Sequence, residues 1–106
     1  MPKYLIHGSY TTEGHRGLLK EGGTSRRTTV ENLVKGLGGS VEAFYYAYGD
    51  EDVYVIADVP DDETMTAVAL VVNASGGVNV KTTVLITPEA VDAAVKKTVD
   101  YRPPGT

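Results

Sequence analysis

Between Ser40 and Pro60 the chain reads S-V-E-A-F-Y-Y-A-Y-G-D-E-D-V-Y-V-I-A-D-V-P, and this stretch restricts the fold more than any other. Two runs rich in β-branched and aromatic residues flank Gly49-Asp50-Glu51-Asp52, which predicts a β-hairpin. In the second arm Val53, Val55, Ala57 and Val59 alternate with Tyr54, Ile56 and Asp58. In the first, Val41, Ala43, Tyr45 and Ala47 alternate with Glu42, Phe44, Tyr46 and Tyr48. The small apolar set is expected under helices, with the aromatic and acidic set on the opposite face. That assignment depends on the length of the turn, because a one-residue slip exchanges the faces.

The flanking segments complete the plan. Tyr4 to Tyr10 reads as a first strand, with Leu5, His7 and Ser9 on one face and Tyr4, Ile6 and Gly8 on the other. Thr11 to Gly23 is read as irregular, because Gly14, Gly17, Gly22 and Gly23 interrupt any helix. The first clear helix is placed from a capping-box pattern, Thr28-Thr29-Val30-Glu31, through the stripe Val30, Leu33, Val34 and Leu37 to a stop at Gly38-Gly39. A start at Thr24 or Ser25 is the alternative. It would put Arg26 and Arg27 in the first turn, where they oppose the helix dipole and where an anion would relieve the conflict. Asp61 is the expected N-cap of a second helix that is apolar nearly all round from Ala67 to Val72 and ends at Gly76-Gly77. A fourth strand follows, with Val78, Val80, Val84 and Ile86 opposite Asn79, Lys81, Thr83 and Leu85. Thr87-Pro88-Glu89 opens a third helix with a thin Val91, Ala94, Val95 and Thr98 stripe. The order β-α-β-β-α-β plus a C-terminal helix predicts one α+β domain over residues 1–106, with 101–106 as a terminal tail. The fold is the ferredoxin-like antiparallel sheet with helices on one face.

That leaves the other sheet face open, with aromatic side chains assigned to it. Such a patch, together with a helix apolar on every side, predicts a homo-oligomer, a dimer first and a trimer or higher assembly as alternatives. Fourteen acidic against ten basic residues give a net charge of −4, which argues against a phosphate-tracking nucleic-acid binder. The absence of cysteine excludes disulfides and thiolate chemistry. No apolar run approaches the ~20 residues of a membrane span, and the N-terminal run is too short for a signal peptide. A soluble, cytoplasmic protein is the expectation.

The order and spacing of Tyr10-Thr11 with Gly14, Gly38-Gly39, Tyr45-Tyr46, Gly49 with Asp52, and Pro60-Asp61, spread over most of residues 4 to 87, resemble the GYD domain family. One departure stands out: Glu51 occupies the position where the family's motif tyrosine is expected. The family is itself similar to the dimeric α+β barrel superfamily, whose protomers close their open sheet faces against another subunit. The resemblance implies that architecture and no established activity.

Few residues point to chemistry. His7 is the one histidine on a predicted strand, and a general base near neutral pH is its functional reading, with Tyr46, Tyr54 or Lys81 nearby. The plainer reading, a structural histidine at an oligomer interface, is preferred because no carboxylate is evidently placed to orient the ring; Asp58 is expected nearer Leu5. Gly22-Gly23-Thr24-Ser25-Arg26-Arg27 has the makings of an anion site, although a mobile loop with solvated arginines explains it more simply. Asp50, Glu51 and Asp52, with Asp61, Asp62 and Glu63, are explained by turn and N-cap duty, so no metal and no cofactor is expected. Two function classes remain. The first is a small-ligand-binding or regulatory module whose oligomer encloses a pocket, with Tyr46, Tyr54, Lys81, Arg26 and Arg27 as binding candidates for a small anionic or aromatic ligand. The second is a cofactor-free enzyme of the dimeric α+β barrel type, acting on a small organic acid or a quinone-like ring. The first leads, since no acid/base pair stands out.

Overall fold

The computed structural model describes residues 1–106. The elements are β1 (Lys3–Tyr10), α1 (Thr12–Glu21), α2 (Gly23–Gly36), β2 (Ser40–Tyr46), β3 (Val53–Asp58), α3 (Asp62–Ala74), β4 (Val78–Leu85) and α4 (Pro88–Ala94). The strands form one antiparallel sheet in the order β2-β3-β1-β4. The fold is therefore α+β and ferredoxin-like, as the hairpin and its flanks predict. No helix is long and apolar enough to cross a membrane.

The core lies between the sheet and α2 and α3. Tyr4, Val34, Ala57, Val59 and Met65 are buried together, with Ile6, Val30, Val41 and Val68 packed around them. On β3 the alternation holds: Val53, Val55 and Ala57 are buried, whereas Tyr54, Ile56 and Asp58 are only partly covered. On β4 the predicted faces also hold, because Val78, Val80 and Val84 pair with Tyr10, Gly8 and Tyr4 on the helix side. The cap residues of the later helices behave as read. Asp61 accepts from the Thr64 amide at 2.8 Å and Thr87 from the Ala90 amide at 3.1 Å.

Three expectations are overturned. Thr11 to Gly23 is not irregular but carries α1. The Thr11 side chain caps it by accepting from the Gly14 amide at 3.1 Å. Gly14 is required there by packing, since a Cβ at that position would sit 1.9 Å from the Gly77 carbonyl oxygen. The glycine that weakens helix propensity is the one that lets α1 approach the turn before β4. Second, α2 starts at Gly23, directly after Gly22 breaks the chain at φ 88°. Thr28 is thus inside the helix, its hydroxyl donating to the Thr24 carbonyl at 3.1 Å, and does not form a capping box. The earlier start places Arg26 and Arg27 in the first turns, and Gly38 (φ 85°) follows its C-terminus.

The third correction concerns the first arm of the hairpin. The β2–β3 register shifts between Val41 and Ala43, so Glu42 is a bulge residue. Beyond the bulge Phe44 and Tyr46 lie opposite Val55 and Val53, while Ala43 and Tyr45 lie opposite Ile56 and Tyr54. Directly opposed residues share a face. Phe44 and Tyr46 therefore face the helices, and the open face receives Ala43 and Tyr45. An extra residue shifts the alternation by one, which keeps Val41 on the core side at one end and Phe44 and Tyr46 there at the other.

The monomer leaves much apolar surface uncovered. Leu70 and Val71 on α3 are 67% and 69% exposed, so this helix, apolar on several sides, is covered on one. Residues 86–106 carry α4 and are exposed throughout. The radius of gyration is 17.1 Å, against roughly 13 Å for a compact chain of this length; the projecting C-terminal segment accounts for the excess.

Candidate functional site

The register of β3, β1 and β4 assembles one row across the open face. His7 on β1 is opposite Tyr54 on β3 and opposite Lys81 on β4. The His7 and Tyr54 rings stack with centroids 6.1 Å apart and planes inclined by 11°. Thr83, next along β4 on the same face, brings its hydroxyl 3.4 Å from His7 Nε2.

The hairpin turn completes the row. Residues 47–52 curl back over the end of β1, with the Asp52 amide donating to the Gly8 carbonyl at 2.9 Å and the Tyr10 amide donating to the Asp52 carboxylate at 2.9 Å. Tyr48 takes a left-handed conformation, φ 57°, to make that curl. Glu51 is thereby laid over the sheet, and its carboxylate bonds His7 Nδ1. The two side chains are 18% and 15% exposed, so water competes little for the bond. With Nδ1 donating to the carboxylate, a neutral imidazole presents Nε2 as an acceptor toward Thr83 and the open face.

The cations of this face are not equivalent. Lys3 is tied to Glu42 and Asp58, and those two hydrogen bonds, Glu42 first, raise its ammonium above the usual lysine range. Lys81 is exposed and has no carboxylate within ion-pair distance, which leaves its charge for a ligand. Asp58 lies opposite Lys3, at the Leu5 end of β1 as expected, and plays no part at His7.

The candidate residues thus divide. His7, Tyr54 and Lys81 come together. Tyr46 and Arg26 lie on the other side of the sheet, where the Tyr46 hydroxyl donates to the Gly23 carbonyl at 3.1 Å and Arg26 is half-buried; Arg27 is exposed. Burial, and then the neighbouring Tyr10, push the Tyr46 phenol up to about 12. Glu51 is the site residue that reading the turn missed, since turn duty seemed to explain it. Its presence at the position of the expected motif tyrosine, in a chain with one strand histidine, was the available signal. No three histidine or carboxylate side chains converge in a way that would hold a metal ion.

A family model described as the GYD domain matches residues 4–95 of the chain. Neither a curated protein nor a solved structure matches it.

Proposed function

The chain belongs to the GYD domain family, and on that premise we propose that it is a homo-oligomeric small-ligand-binding or regulatory module whose open sheet face, closed by a second copy, holds a small anionic aromatic ligand. One observation carries the reading: a shielded His7–Glu51 pair set between the Tyr54 ring and the unpaired Lys81 ammonium on a face that no helix covers. Tyr54 offers a stacking surface, Lys81 a charge, and His7 Nε2 with the Thr83 hydroxyl a hydrogen-bonding edge. Those are the contacts a planar ring bearing one acidic group requires.

The same pair supports a second reading, the cofactor-free enzyme. A carboxylate on Nδ1 fixes the tautomer and orientation of an imidazole, which suits Nε2 to take a proton from an acidic carbon or hydroxyl. In that case Glu51 is a positioning residue and His7 the base.

The test is NMR of the intact protein with salicylate and, separately, a 2-keto acid in deuterated buffer. The binding reading expects shifts of the His7 and Tyr54 ring signals with salicylate, lost in His7→Asn and Lys81→Gln. The enzyme reading adds deuterium entry next to the keto group, lost in His7→Asn. Shifts that persist in both variants would remove the site. Sedimentation as a clean 11.3 kDa species would remove the second copy.

A further inference from the structure

The other side of the sheet carries a cavity that the open-face site does not use. It lies beneath α2 and α3, has a volume of about 130 Å³, and fourteen of its sixteen lining residues are hydrophobic. Val30, Leu33, Phe44, Val55, Met65 and Val72 supply its walls. Apolar cavities of about 150 Å³ in proteins stay dry and accept one benzene-sized ring, so the chamber has the size and lining for a single aromatic ring.

Its two polar wall residues are Arg26 and Thr29. Arg26 also lines a second, more polar recess of about 260 Å³, and the two spaces share Tyr10, Arg26 and Val78. The guanidinium thus stands where the apolar chamber meets a mouth formed by α1 and the turn before β4. It is half-buried and makes no ion pair. The first turn of its helix contains no acidic residue and has no side-chain cap, so the amides at that end add to the positive potential. A partly desolvated guanidinium without a carboxylate partner is a costly group unless something pairs with it. Glu13 and Glu21 line the mouth as well, beyond ion-pair distance of Arg26. Their charges oppose negative charge held away from the guanidinium, which favours a visitor with one anionic group over one with two. Tyr10 adds a phenol whose titration burial pushes upward, so at neutral pH its hydroxyl is a hydrogen-bond donor.

We propose that this cavity binds a small aromatic monocarboxylate, with one ring in the chamber under α2 and α3 and the carboxylate on Arg26 at the mouth. The site is separate from His7–Glu51, so each can fail without the other.

The experiment titrates the full chain with sodium benzoate, and in parallel with benzyl alcohol as the neutral analogue of the same shape, followed by the methyl signals of Val30, Met65 and Val72. Benzoate is expected to shift those methyls, in the unaltered protein and equally in His7→Asn, and to bind there about tenfold or more tighter than the alcohol, the margin of a charge-assisted hydrogen bond. Arg26→Gln should abolish that preference while the alcohol still binds. Val68→Phe, which fills the chamber, should exclude both. Should that variant not fold, naphthoate on the unaltered protein takes its place, and its exclusion is expected on size. Benzoate binding unchanged in Arg26→Gln, shifts confined to surface residues, or naphthoate entering as readily as benzoate would overturn the proposal.

Discussion

Glu51, in the hairpin turn, bonds Nδ1 of His7, 44 residues earlier on the first strand. The bond joins the turn of one strand pair to the centre of the sheet, and it sets which imidazole nitrogen faces the open side. Both partners are largely shielded, so salt screens the bond less than it would a surface ion pair.

A double-mutant cycle with His7→Asn and Glu51→Gln is expected to give a coupling of about 1 kcal/mol in denaturant unfolding, the scale of one hydrogen bond. Strict additivity would mean that the pair contributes nothing to the fold.

Tyr46 and Tyr45 are neighbours with opposite fates. Tyr46→Phe should cost about 1 kcal/mol through the bond to Gly23, and Tyr46→Ala about 3 kcal/mol through lost packing. Both deficits should be the same at every protein concentration. Tyr45 is 72% exposed in the single chain, and in the proposed assembly a second copy covers it. The Tyr45→Ala deficit should therefore grow on dilution. Melting temperatures over a wide concentration range separate the two.

Two glycines of α1 make a matched pair. At Gly14 a Cβ would lie 1.9 Å from the Gly77 carbonyl oxygen, whereas at Gly17 it would meet nothing within 4 Å. Gly14→Ala is expected to destabilise by about 2–3 kcal/mol, as an overpacked site does. Gly17→Ala should stabilise by about 0.5–1 kcal/mol through helix propensity. Denaturant midpoints of the two variants check both signs.

Tyr4 sets an alkaline limit. Its hydroxyl donates to the Asp62 carboxylate, and that bond, followed by burial, raises the phenol from 10.0 to about 12. The unfolded chain then releases this proton first as the pH rises. The stabilisation is complete below the unfolded value of 10.0 and disappears as the pH climbs through about 12. Ultraviolet titration of tyrosinate alongside circular dichroism should show unfolding in that window, with a weaker pH dependence in Tyr4→Phe.

How much of this was legible beforehand varies from element to element. Val53, Val55 and Ala57 declare the buried face of β3 because period-2 alternation is a local property of an extended chain. Asp61 and Thr87 likewise announce the starts of α3 and α4, since a cap bonds an amide three residues on. The element order, and with it the α+β plan, follows from such signals. The site was legible only in its parts: His7, Tyr54 and Lys81 could each be put on a strand face, and the antiparallel plan made them neighbours.

What the tertiary structure decided is what depends on residues distant in sequence. Gly14 looks like a helix breaker until the Gly77 carbonyl is seen against it. Phe44 and Tyr46 turn toward the helices because one bulge at Glu42 shifts the phase of β2, and a bulge costs little enough locally to leave no clear mark in composition. Glu51 meets His7 because the Gly49 turn folds down over β1 through the Asp52 bonds to Gly8 and Tyr10. Local propensity places residues on faces. Which faces meet, and which side chain a turn can reach, is decided by contacts closed across long loops, whose geometry the intervening residues do not encode one by one.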